Sequence, residues 1–280
     1  MKFGCKKGIN ISFYTSKALF YTIASTYAFI AIMPFLWSFY SSLRTAEDVN
    51  KINISFNNLS LNNYIYILHA LPISRYYINS IIVAAIVTIG NLLINSLAGY
   101  AFARINFPFK NSIFMIILGT MMIPGQVLMV PVFVMLSKLG WLNSYLGLTV
   151  PFLFSSFFIF MMRQFFMALP VELEEAAFID GMNRGDIFFK IALPLVKPAL
   201  ATQAIGLFIG NWNSFLWPSL IATRKEWFTL PVGLGDLEFR YFSFQNQVMA
   251  GTMYLTIPII IMFLFLQRYI IQNISTSGLK

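Results

Sequence analysis

LPVELEEAAFIDGMNRGDIFFKIALPLVKP, residues 169–198, holds half of the chain's ten acidic residues (Glu172, Glu174, Glu175, Asp180 and Asp186) within fifteen positions. It reads as two short helices joined by a turn. Pro170 suits the opening of the first helix, the three glutamates suit its positive amino end, and Gly181 can take the left-handed conformation that ends it. The second runs roughly from Arg184 to Ala192 and sets Ile187, Phe188 and Ile191 on one face, until Pro194 and Pro198 bend the chain onward. A solvated amphipathic loop would have the same composition, so the local pattern leaves the role of the segment open.

What lies on either side decides the fold. The 280 residues are 58% hydrophobic and 10% charged, more apolar surface than a water-soluble fold of this length can bury. A helix crossing the bilayer needs about 20 mainly apolar residues. Six gaps between charges are long enough: Ala18 to Leu43, Tyr76 to Ala103, Asn111 to Ser137, Leu139 to Met162, Pro198 to Thr223 and Tyr241 to Gln267. A seventh gap, Ile52 to Ser74, contains Asn53, Asn57, Asn58, Asn62 and Asn63, too many amides to leave without partners in hydrocarbon. It is expected to be a loop with a short interfacial helix around Tyr64 to Leu68. The sequence thus predicts an all-α polytopic membrane protein with six transmembrane helices, and the acidic segment falls between the fourth and the fifth.

Lys and Arg set the orientation. With the amino terminus inside, twelve of the nineteen basic residues fall on inner segments and seven on outer ones, so both termini are expected in the cytoplasm. Lys2, Lys6, Lys7 and Lys17 precede the first span, which resembles a signal sequence but is too long for a cleaved one; it is read as a retained anchor. The basic residues are scattered and form no stripe that could track phosphates, which excludes nucleic acid as a partner. The lone Cys5 cannot form an internal disulfide, and with a single histidine, His69, there is no Cys/His metal set. Nothing in the sequence asks for a cofactor, and His69 reads as a surface residue.

The energy source is also missing. Ion-driven transporters place ionisable groups within their spans, but no acidic residue occurs between Asp48 and Glu172. The phosphate-cradling pattern G-x-x-x-x-G-K-S/T is absent as well. Either the chain is a passive channel or facilitator, or another polypeptide drives it. An intramembrane enzyme is a poorer reading, because no nucleophile with a neighbouring base is found.

Glu175-Ala176-Ala177, Asp180-Gly181, Ile191, Leu193-Pro194 and Pro198 resemble the EAA signature of ABC importer membrane subunits, E-A-A-x-x-D-G followed by I-x-L-P. The stretches Ile123 to Phe133, Leu139 to Leu148, MMRQFFMALP, NWNSFLWP (Asn211 to Pro218) and the ending LQRYIIQNISTSGLK are similar to carbohydrate importer permeases, above all the smaller membrane subunit of the maltose type. The resemblance covers Tyr77 to Lys280; from Asn273 to Gly278 the chain has less glycine and alanine than the family's tail. It implies a type I ABC importer transmembrane domain over 76–280, preceded by an amino-terminal segment, first span and outer loop over 1–75. It also implies a non-catalytic subunit in the plasma membrane. Its partners would be a second homologous permease, an ATP-binding-cassette ATPase dimer and an extracellular or periplasmic solute-binding protein. In that family the 169–198 loop docks on the ATPase: Glu174 and Glu175 would face it, Glu175 meeting a basic group, Ala176 and Ala177 would allow close approach, and Asp180-Gly181 would make the turn.

A substrate path is less legible. Asn211, Trp212, Asn213, Ser214 and Trp217 combine amides with indole faces, as a sugar site would, but such residues also glue helices together or sit in interfacial belts. Gln126, beside Pro124-Gly125 and before Pro131, lies at an expected helix break, where backbone groups must face protein or water. A kink packed on a partner subunit fits it equally. The segment Arg224 to Arg240 is expected to be an outer loop, which by resemblance receives the binding protein. The missing span charges favour a neutral solute, a sugar by resemblance, while related permeases carry glycerol phosphates.

Overall fold

The computed structural model describes residues 11–49, 54–56, 58–240 and 244–277. Cys5, Lys2, Lys6, Lys7, Asn53, Asn57, Tyr241, Gly278 and Lys280 lie outside the described residues. Among the described residues the chain is helical and has no strand. It divides into two units, residues 1–67 with 243–253 and residues 68–242 with 254–280.

In the first unit, α1 (Ile11–Ser42) is a single helix whose most apolar 18-residue stretch has no residue buried within the chain, as a helix facing lipid or another subunit would be, while Ser41 and Ser42 at its end are buried. The asparagine-rich segment ends it. Asn63, on the first turn of α2 (Asn62–Ala70), donates to the carbonyls of Ser42 and Arg44 at 2.7 and 2.9 Å, closing backbone groups left open where α1 stops. Asn246 then donates to Asn63 Oδ1 at 2.8 Å. The short helix expected around Tyr64 to Leu68 is therefore present, and one of its amides is a structural cap.

The second unit is built on α3 (Ile73–Arg104), which packs chiefly on the helices Ser156–Met167 and Lys197–Trp212. The third predicted span is not one helix. It is α4 (Lys110–Thr120) followed by α5 (Gly125–Lys138), bent by 96° where Pro124 interrupts the backbone ladder. The fourth is broken too: α6 (Tyr145–Thr149) and a 3₁₀ turn, Val150–Phe152, lead at 46° into α7 (Ser156–Met167). Arg163, read as following this span, lies inside α7, with its guanidinium 4.4 Å from the Phe114 ring centre and Nε donating to the Phe102 carbonyl at 3.2 Å.

Beyond α7 come α8 (Glu172–Ile179), α9 (Arg184–Ile187), a π turn Phe188–Ala192 and α10 (Leu193–Leu195), then α11 (Lys197–Trp212) after a 77° bend. The expected fifth span, Pro198 to Thr223, stops as a continuous helix at Trp212 and resumes as the short α12 (Leu216–Ile221). The expected loop from Arg224 to Arg240 is largely helical: after a 3₁₀ turn, Lys225–Trp227, Pro231 opens α13 (Leu230–Arg240). The last helix, α14 (Gln245–Ser277), outruns the predicted sixth span at its carboxyl end. Among the described residues, three helices are long and apolar enough to cross a membrane, and counting each bent pair as one span gives six.

Buried polar residues of α3 hold these breaks. Asn91 donates to the Phe152 carbonyl, and Asn95 Oδ1 accepts from the Ser155 amide at 3.1 Å, so both edges of the interruption before α7 are satisfied from one helix. Asn79 does the same for the turn ahead of α13, donating to the Glu226 and Phe228 carbonyls, each at 2.9 Å, while the Tyr145 hydroxyl donates to its Oδ1 at 2.8 Å.

Candidate functional site

The 169–198 segment forms the expected helix, turn and helix, and its turn is fixed at two residues. Gly181 has φ +80°, its N–H donates to the Phe178 carbonyl at 3.1 Å, and the Met182 N–H donates to the Ala177 carbonyl at 3.0 Å, the paired bonds of a Schellman termination. Asn183 then caps α9, with Oδ1 accepting from the Asp186 N–H at 2.9 Å. Asp186 pairs with Lys190 one turn on. Asn183 was not among the residues singled out in the sequence, although an asparagine three residues ahead of an aspartate, with an apolar run following, is a helix-start pattern.

The helix pair is joined firmly to the spans. Phe188, Ala192 and Val196 are buried with Tyr100 of α3, Met162 and Phe166 of α7, and Ala199 of α11. Tyr100 lies edge-on to Phe166 at 5.4 Å and tilted against Phe188 at 5.2 Å. α8 is attached by other means. Glu174 turns inward, with Oε1 2.9 Å from Arg104 Nε and Oε2 accepting from the Tyr100 hydroxyl at 3.1 Å. Arg104 also donates to the Leu169 carbonyl.

The six residues assigned to the loop therefore divide. Glu174 and Ala177 are buried within the chain, whereas Glu175, Ala176, Asp180 and Gly181 are exposed. Glu172, Glu175, Ala176 and Ile179 recur at helical spacing and make up the open face of α8, with Ile179 87% exposed at its end. That face presents acid and apolar groups together, and it ends on a turn of fixed shape.

The residues assigned to a path also divide. Gln126, just after the Pro124 break, and Ser214, in the gap between α11 and α12, line one cavity of about 510 Å³ with Met129, Phe152 and Trp217. Trp217 gives its indole N–H to the Gly147 carbonyl at 3.1 Å, so its ring is held in place at the wall. Trp212 does not reach this cavity. It is 1% exposed, stacks on Phe208 at 5.8 Å, and donates its N–H to the Leu255 carbonyl at 3.0 Å. Asn211 is turned back along its own helix onto the Leu207 carbonyl at 2.8 Å, and Asn213 is exposed at the end of α11. The structure brings Gln126 and Ser214 together and leaves Asn211 and Trp212 outside the lining.

Residues 95–276, which include the loop, all three bent helix pairs and most of α14, match the family described as binding-protein-dependent transport system inner membrane component. The chain belongs to that family. This inner membrane component is 36% identical over 258 residues to the arabinooligosaccharides transport system permease protein AraQ of Halalkalibacterium halodurans, covering 90% of this chain and 92% of that protein. It is 34% identical over 261 residues to the trehalose/maltose transport system permease protein MalG of Thermococcus litoralis, covering 90% and 93%. Its fold matches the crystal structure of a bacterial ABC transporter involved in the import of the acidic polysaccharide alginate, with a TM-score of 0.79 at 24% identity, over 94% of this chain and 99% of that one. The inner membrane component is thus a multi-pass ABC importer permease, with the all-α architecture its sequence predicts.

Proposed function

We propose that this permease lines half of the translocation pore for a neutral sugar or oligosaccharide, and that a separate ATPase dimer drives it through the 169–198 loop. A second, homologous permease completes the pore, and an extracellular or periplasmic solute-binding protein delivers the cargo. The observation that carries the proposal is the open face of α8. Glu175, Ala176 and Asp180 are exposed on a helix that ends in a turn of fixed geometry, on a segment packed into the ends of three membrane helices, in a chain with no phosphate-binding loop of its own. A surface so placed can receive a push and pass it to the spans, which is what alternating access requires.

Both termini lie in the cytoplasm on this reading, which puts the loop there too, and the importer core occupies residues 76–280. The kind of cargo rests on the relatives and on the cavity. Gln126 and Ser214 offer hydrogen-bonding groups beside the Trp217 and Phe152 rings, the pairing that suits hydroxyls and the apolar faces of a sugar ring. No cation stands among the lining residues to hold an anionic group.

The test is reconstitution in liposomes with the partner permease, ATPase and binding protein. Uptake of labelled oligosaccharide should require ATP and every subunit, and sn-glycerol 3-phosphate should not stimulate hydrolysis. Flux through liposomes holding this chain alone would replace the proposal with a passive channel.

A further inference from the structure

The attachment of α8 to the membrane helices is unusual in its chemistry. Only Glu174 and Ala177 of α8 are buried, and Ala177 has little surface to contribute. The neighbouring π turn holds by apolar packing of Phe188 and Ala192, but α8 holds by one carboxylate. That carboxylate and its guanidinium partner keep only 10% and 11% of their side-chain surface. Withdrawing two charges from water is costly, and apolar residues of like volume would give an attachment at least as stable. What the charged pair adds is direction: an ion pair at 2.9 Å, flanked by the Tyr100 hydroxyl donating to the carboxylate and the Leu169 carbonyl accepting from the guanidinium, resists both pulling and sliding, whereas an apolar contact slides. Its far end is the last residue of α3, the 32-residue helix on which α7 and α11 pack.

We propose that Arg104 and Glu174 are the strut by which movement of α8 is delivered to α3, with Tyr100 and the Leu169 carbonyl holding its two ends in register. The inference rests on the coupling role proposed for the loop and assigns its two neighbouring glutamates different work. Glu175 faces outward to the ATPase, and Glu174 is a positioning residue that faces inward and makes the loop and α3 move as one body. Glu174 therefore makes no contact with the ATPase.

The experiment uses the complete complex in liposomes and reads ATP hydrolysis with and without substrate-loaded binding protein. Glu174→Gln should leave the basal rate near that of wild type and cut the stimulated rate by roughly 10-fold, a coupling loss of ordinary size. The double variant Arg104→Met with Glu174→Met restores apolar packing without direction, and it should remain unstimulated. Stimulation restored in the double variant, or kept by Glu174→Gln, overturns the strut. A second measurement leaves the pair intact: spin labels at Asn106→Cys and Val171→Cys, both exposed positions outside the open face of α8, in a Cys5→Ser background. Their separation should stay within about 2 Å between nucleotide-free and ATP-bound complexes, the scale of ordinary helix shifts. A larger change overturns the strut even if the substituted chains fail to assemble. A wild-type complex that shows no stimulation removes the functional reading itself, whereas stimulated wild type beside stimulated Glu174→Gln removes only the strut.

Discussion

The Asn95 side-chain amide donates to Asn91 Oδ1 at 2.8 Å, one turn away on α3, and both residues are fully buried. Each also binds backbone at the interruption before α7, so the two side chains act as one brace across a broken helix. Asn95→Leu should strand the Ser155 N–H in an apolar setting and cost about 1 to 3 kcal/mol. The thermal midpoint of the detergent-solubilised protein should fall accordingly. An unchanged midpoint would mean that the break is satisfied by something else.

Gly99 lets α3 and α7 approach closely. A Cβ there would fall 2.7 Å from Met162 Cβ and 2.9 Å from the Arg163 backbone nitrogen, and backbone cannot swing aside as a side-chain tip can. Gly99→Val should cost about 1 to 3 kcal/mol or more by forcing the helices apart. In fluorescence-detected size exclusion the folded peak should shrink. Gly119→Ala, in the helix α4 with open space around the new methyl, is the matched control and should be neutral or stabilising.

Gly181 and Glu175 separate shape from charge at the loop. Gly181→Ala places a Cβ at φ +80° and should cost about 1 to 2 kcal/mol, with Gly181→Asn milder. Glu175→Lys changes an exposed side chain, so the thermal midpoint should hold while stimulated ATP hydrolysis is lost. Normal stimulation in Glu175→Lys would remove this face from the coupling surface.

In the cavity, Gln126→Leu and Ser214→Ala should raise the substrate concentration needed for half-maximal uptake by several-fold, each by removing one hydrogen bond worth about 1 kcal/mol. Trp212→Phe should behave differently. It loses the bond to the Leu255 carbonyl, so stability should drop by about 1 kcal/mol with half-saturation unchanged. Uptake kinetics beside a melting curve distinguish the two patterns.

Much of this fold is legible in the sequence because membranes demand long apolar helices, and charge gaps reveal them. The turn at Gly181 and the break at Pro124 were readable for a related reason: glycine and proline act through their own backbone, and their neighbours matter little. What could not be read depends on partners far along the chain. Asn91 and Asn95 stand one turn apart, a visible spacing, but nothing local says that they satisfy backbone sixty residues away. Trp212 and Trp217 look alike in the sequence, five residues apart, and only the gap after Trp212 sends one into a packed interior and the other to a cavity wall. Glu174 and Glu175 are chemically the same and adjacent; about 100° of helical rotation separates an internal ion pair from an open surface.

Ile179 is 87% exposed at the end of α8, and Phe178 and Phe189 of the same 169–198 segment are 42% and 56% exposed. Apolar side chains bare to water are what chaperones and degradative proteases recognise. A copy of this chain without its companion on that face would carry a tag for removal built into its own tip. If the ATPase proposed above covers Ile179, the level of the permease in a cell follows the supply of that ATPase, and overproduction alone yields little lasting protein.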